Sequence, residues 1–118
     1  MPATRHAAPP DPSVFAALGD PTRLQLVERL RRRPLQSTTS LAAGTPFSRQ
    51  AVAKHLAVLA DAGLVRDVRR GRERLWDVDA APLKPVTDWL EAWRAEWEAR
   101  FDRLDAHLQQ LQSTTEEP

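Results

Sequence analysis

Residues Ser48 to Gly63 read S-R-Q-A-V-A-K-H-L-A-V-L-A-D-A-G. Val52, Leu56 and Leu59 recur at steps of four and three, so at about 100° per residue they share one helical face. Ser48 offers a hydroxyl that can accept from the orphan N–H groups of a first helical turn. Gly63 can enter the left-handed conformation without a Cβ clash and so marks a stop. Opposite the apolar stripe stand Gln50, Lys54 and Ala57, with Arg49 and Ala53 on one flank. Long donor-bearing side chains interleaved with small ones suit a helix that lies deep in a DNA major groove. A solvated amphipathic helix has the same period, so the neighbouring segments must decide.

Upstream, Gln36 to Ala43 has room for a two-turn helix, with Ser37, Thr38 and Thr39 as possible caps. Gly44-Thr45-Pro46-Phe47 follows as a tight connector, Phe47 standing where a staple residue would. Short helix, short turn and longer helix with a polar outer face make a helix-turn-helix. Downstream, Leu64–Arg69 and Arg74–Val78 alternate like strands and are joined through Arg70-Gly71-Arg72-Glu73. Gly71 supplies the positive φ of a hairpin turn. Arginines at the tip contribute nothing to a core but can straddle a phosphate backbone, which makes the hairpin a wing.

Two helices precede this unit. Asp11-Pro12 starts one with Val14, Phe15 and Leu18 on its apolar face, ending at Gly19. Asp20-Pro21 starts the next, which carries Leu24, Leu26, Val27 and Leu30 to the Arg31-Arg32-Arg33 run before Pro34. That arginine run favours the helix dipole rather than a phosphate. Asp79-Ala80-Ala81-Pro82 opens the final helix, residues 80–111, with Val86, Leu90, Trp93, Trp97, Phe101, Leu104, Leu108 and Leu111 at steps of three and four. So long an apolar stripe exceeds what one small domain covers and should associate with the same helix of a second subunit, together with Val14, Phe15 and Leu18. Residues 1–10 are expected to be a flexible tail, 11–111 one winged-helix domain, and 112–118 a frayed end.

Composition agrees. The 118 residues are 42% hydrophobic and 28% charged, with a net charge of only +1. Divided along the chain, the charge separates. Ser48 to Trp76 holds seven basic against three acidic residues, and Pro82 to Pro118 four basic against eight acidic. A basic middle suits a polyanion and an acidic end suits the side facing away from it. No cysteine is present, which removes disulfides, thiolate metal sites and thiol redox sensing. No apolar run reaches the ~20 residues of a membrane span, and no hydrophobic signal core is seen, so a cytoplasmic protein is expected. No nucleophile–base pairing or phosphate-cradling glycine loop points to an enzyme, and no cofactor is implied.

Three segments together carry a family resemblance: F-A-A-L-G-D-P-T-R-L-Q-L-V at Phe15–Val27, the Ser48–Val65 stretch, and R-R-G-R-E-R-L-W at Arg69–Trp76. In this order and spacing the chain resembles the ArsR-type winged-helix transcriptional repressors. The Trp-rich final helix is similar to a branch of that family without the usual metal ligands. The resemblance implies a mainly α fold of order α-α-α-α-β-β-α, a two-fold dimer through the terminal helices, and repression at an inverted-repeat operator. It also implies DNA contacts by Ser48, Arg49, Gln50 and Lys54, and by Arg70 and Arg72 of the wing; Ala53 on the outer face and His55 in the same segment are expected to join them. His55 falls between the core stripe and the outer face, so packing is as good a role for it as a phosphate contact. On the apolar stripes of those helices, the expected dimer residues are Val14, Phe15, Leu18, Leu90, Trp93, Trp97, Phe101 and Leu104. The family's cysteine metal motif corresponds to Leu41-Ala42-Ala43, and of a second metal motif only Asp105-Ala106-His107 matches, so no metal site is expected. The competing reading is a protein-interaction module built on the Trp-rich helix, for which the basic outer face and arginine-tipped hairpin would be unnecessary.

Overall fold

The computed structural model describes residues 8–116. Most of the proposed N-terminal tail, residues 1–7, lies outside them. Five helices and one hairpin follow in the order α1 (Pro12–Leu18), α2 (Pro21–Arg32), α3 (Thr38–Ala43), α4 (Arg49–Asp61), β1 (Val65–Arg70), β2 (Glu73–Val78) and α5 (Leu83–Glu116). The chain divides into two compact units, one of Pro10–Pro85 and one containing α5 from Val86 onward.

In the first unit the local signals act as written. Asp11 caps α1 through the Ser13 N–H, and Asp20 caps α2 by accepting from the Thr22 and Arg23 N–H groups, leaving proline at the first helical position, where no N–H is missed. The α4 terminus is a Schellman motif. Gly63 (φ +77°) donates to the Ala60 carbonyl and Leu64 to the Leu59 carbonyl, each at 2.9 Å. That reversal sends the chain directly into β1. Asp79 then donates its N–H to the Leu64 carbonyl at 2.8 Å, closing the base of the wing.

One core serves all these elements. Val14 and Ala17 of α1, Leu26 and Leu30 of α2, and Leu41 of α3 are buried with Val52, Leu56 and Leu59 of α4. Leu64, Val65 and Trp76 complete it from the hairpin. Each buried valine or leucine contributes roughly 1.5–3 kcal/mol of transfer free energy. Val14, one of the residues assigned to the dimer, is 5% exposed in the single chain. It sits on the inward face of α1, a helix that packs on α2 and α4, whereas Phe15 stays exposed and Leu18 half-buried.

The hairpin is antiparallel with Val65 opposite Val78 and Arg70 opposite Glu73, leaving the two-residue turn Gly71-Arg72. Gly71 has φ +62° and Arg72 does not enter the positive-φ region, the pattern of a type II′ turn. Gln36 adds a short third rung. Its N–H donates to the Trp76 carbonyl at 3.2 Å and its carbonyl accepts the Trp76 N–H at 2.8 Å.

The final helix, α5, begins at Leu83 rather than at residue 80. The Asp79 carboxylate accepts from the Ala81 N–H, and Ala80 and Ala81 accept from Leu83 and Lys84, so these residues form a turn before the helix. The helix extends to Glu116, and the last two residues of the expected frayed end, 117–118, lie outside the described residues. No glycine or proline interrupts Gln112–Glu116, and polar residues alone do not break a helix. At 1.5 Å per residue its 34 residues span about 50 Å.

Candidate nucleic-acid interface

The helix-turn-helix is assembled from caps. Ser37 closes the start of α3 by accepting the Ser40 N–H at 3.1 Å, and Ser48 does the same for α4 with the Ala51 N–H at 3.1 Å. Between them Thr45 ties both sides of the turn. Its hydroxyl donates to the Ala42 carbonyl at 3.0 Å and accepts the Phe47 N–H at 3.2 Å. At the same C-terminal end of α3 the Arg29 guanidinium donates to the Leu41 and Ser40 carbonyls, satisfying acceptors in the last turns of the helix. It lies so close over Gly44 that any Cβ there would overlap it.

So held, α4 buries Val52, Leu56 and Leu59 completely and exposes Gln50, Ala53, Lys54 and Ala57, with Arg49 beside them at its first position. Every outer-face residue singled out in the sequence is therefore presented to solvent. Ser48 spends an acceptor on its cap yet keeps a hydroxyl hydrogen to donate. His55 differs. With its side chain 25% exposed, its Nδ1 lies 3.4 Å from Arg23 Nη1 and 3.9 Å from Asp20 Oδ2, and the Phe47 ring stands edge-on to it. His55 belongs to a polar junction between α2 and α4, the packing role left open for it beside a phosphate contact. Phe47, the staple candidate, is 44% exposed. Asp20 at this junction is held below the usual carboxylate range, chiefly by accepting the Arg23 backbone N–H, with the Arg23 and His55 charges and the Thr22 N–H adding to it.

The wing is joined to the same unit through Trp76. Its indole Nε1 donates to Thr38 Oγ1 at 3.0 Å, and the Arg74 guanidinium lies over its ring at 4.6 Å from the centroid. Arg74 also pairs with Asp67 at 3.0 Å, so it is committed to the hairpin. Among the described residues Arg66, Arg69, Arg70 and Arg72 are exposed and have no ion-pair partner. Arg31 and Arg32 instead pair with Glu28, in keeping with a structural arginine run.

In the second unit, Leu90, Trp93, Trp97, Phe101, Leu104, Leu108 and Leu111 are each between 43% and 59% exposed. The Trp97 and Phe101 rings meet in a tilted pair at 6.1 Å along this face, and Trp93 meets Trp89 in another at 5.4 Å. Among the described residues no three His, Cys, Asp or Glu side chains group as metal ligands, and no helix is long and apolar enough to cross a membrane.

A capped two-helix unit with a polar, cationic outer face, flanked by an arginine-bearing hairpin, defines a winged helix-turn-helix regulator that binds DNA. Comparison with known proteins agrees and narrows the class. A family model described as a helix-turn-helix domain matches residues 18–68. The uncharacterized HTH-type transcriptional regulator YuzN of Bacillus subtilis is 37% identical over 86 residues, covering 67% of this chain and 94% of the relative. An HTH-type transcriptional regulator of Mycobacterium tuberculosis is 42% identical over 80 residues, covering 67% and 74%. Among solved structures, an ArsR-like transcriptional regulator from Rhodococcus sp. RHA1 superposes with a TM-score of 0.70 at 42% identity, covering 83% of this chain and 89% of the other. The chain belongs to the ArsR-type family of helix-turn-helix transcriptional regulators.

Proposed function

We propose that this regulator works as a homodimer in the cytoplasm and represses transcription by occupying an inverted-repeat operator. The observation that carries the dimer is the exposed stripe from Leu90 to Leu111 on α5, seven large apolar side chains in a row. Stripes of this extent on a lone helix associate, and the 3–4 spacing suits packing against an identical helix. Phe15, 43% exposed on α1, is a further apolar contribution.

A two-fold pair would direct two α4 helices at successive major grooves, about 34 Å apart. Gln50, exposed in the first turns of α4, reads an adenine edge, while Ala53 and Ala57 permit close approach or meet a thymine methyl. Lys54, Arg70 and Arg72 supply charge to phosphates. Gel-shift titration across salt tests this division. Gln50→Ala relaxes base preference, by about 1–3 kcal/mol at one position, whereas Arg70→Ala or Arg72→Ala weakens all duplexes alike and flattens the salt dependence. Equal losses on specific and random DNA for Gln50→Ala would reject the base-reading role. With no cysteine in the chain, control comes through protein concentration or an effector other than a thiolate-bound metal.

A further inference from the structure

Arg49 is the first residue of α4, at the end that a recognition helix offers to DNA, and its chemistry allows two opposite roles. A guanidinium can take a guanine edge bidentately and carry sequence information, or take a phosphate and carry none. The side chain's placement separates these roles. Arg49 Nη1 donates to Thr39 Oγ1 of α3 at 3.4 Å, so the guanidinium is drawn back across the turn toward the preceding helix. Gln50, one residue on, has no partner within the described chain and projects freely.

The geometry points to Arg49 and Thr39 forming a composite phosphate clamp, with Thr39 positioning the guanidinium and base reading left to Gln50. Several features agree. The Arg49–Thr39 bond is long and exposed, weak enough for an anion to join it. Thr39 accepts from Arg49 and keeps its own hydroxyl hydrogen to donate to a phosphate oxygen. Arg49 retains four further N–H donors in a planar fork that matches a phosphate. The wing adds another constraint on the same place: Thr38, next to Thr39, is held by the Trp76 indole at 3.0 Å. The start of α3 is therefore fixed from behind while Thr39 faces solvent. Thr39 carries no signal of its own in the sequence, since a threonine near a helix start reads only as a cap candidate.

This inference rests on the DNA-binding reading of α4, and the test keeps the two apart. The full-length chain is used to select a duplex from a random-sequence pool. Binding of that duplex and of a shuffled one is then measured across salt for the wild type, Arg49→Ala, Arg49→Lys, Thr39→Val and the Thr39→Val/Arg49→Ala double variant, each first shown to melt as a folded protein. Arg49→Ala should weaken both duplexes by a similar factor, roughly tenfold, and lower the slope of log K against log salt by about 0.9 for each phosphate left without its cation. Arg49→Lys should recover most of that slope. Thr39→Val should weaken both duplexes a few-fold, and the loss it adds in the double variant should be smaller than its loss alone, since only its own bond to the phosphate then remains to be removed. The clamp is overturned if Arg49→Ala abolishes discrimination while leaving the shuffled duplex unaffected, or if the Thr39→Val and Arg49→Ala losses multiply independently. A selected site without inverted repetition would count against the dimeric operator and leave the clamp standing.

Discussion

The indole Nε1 of Trp76 donates to Thr38 Oγ1 at 3.0 Å, across 38 residues of sequence, and joins the wing to the first helix of the helix-turn-helix. Trp76 is 4% exposed, its backbone pairs with Gln36, and its ring carries the Arg74 guanidinium. One side chain thus fixes where the arginine-bearing turn sits relative to α3. Trp76→Phe keeps most of the apolar burial and removes the hydrogen bond, so unfolding free energy should fall by about 1 kcal/mol. Trp76→Ala should cost roughly 3–5 kcal/mol through the cavity it leaves. Urea denaturation measures both, and a Phe variant as unstable as the Ala variant would place the weight on ring shape instead.

Gly63 at φ +77° ends α4 and starts the wing, and a Cβ there would stand 3.2 Å from Pro82 Cγ. Gly63→Ala therefore meets both backbone strain and a crowded neighbour. A loss of about 1–2 kcal/mol is expected from the left-handed backbone alone. Gly71, at φ +62° with open space around it, should show only the strain component. Thermal or urea unfolding of the two alanine variants measures both losses, and a Gly63→Ala variant as stable as the wild type would contradict the left-handed stop.

The Asp20 carboxylate caps α2, and its acidity is raised mainly by the Arg23 backbone N–H. A group whose folded pKa is depressed stabilises the fold above its unfolded value and loses that contribution as pH falls through the folded one. Stability of the wild type should therefore decline as pH drops below the ordinary carboxylate range. Asp20→Asn, which retains an acceptor for the cap, should show a shallower acid decline. Parallel acid limbs in urea midpoints measured against pH would remove Asp20 from this role.

Much of this could be read in the chain. Ser48, Gly63 and the Val52–Leu56–Leu59 spacing define α4 because caps and periodicity are local properties, and Gly71 defines the turn for the same reason. What escaped is long-range. Gln36 pairing with Trp76, and Arg29 reaching from α2 to the α3 carbonyls, join residues with no shared pattern in sequence. His55 lay between two faces of its helix, and only the approach of Asp20 and Arg23 decides its surroundings. Val14 and Phe15 are adjacent apolar residues, and sequence alone does not say which turns inward.

The exposed face of α5 yields a further expectation. Trp93 and Trp97 are 49% and 45% exposed, so placing a charge there should disturb this chain's own fold little and its association greatly. Trp93→Glu combined with Trp97→Glu should leave far-UV helical content close to wild type and sediment as a monomer. DNA affinity should fall steeply, since one chain would then engage one half-site without the gain from linkage. A double variant that still sediments as the wild type would move the interface elsewhere.

Selection of duplexes from a random pool by the wild-type chain, with the number of chains per bound duplex determined by sedimentation, addresses the proposed mode of action most directly. The expected result is an imperfect inverted repeat with half-sites one helical turn apart, about 10–10.5 base pairs centre to centre, bound by two chains. A single unrepeated site occupied by one chain would contradict it.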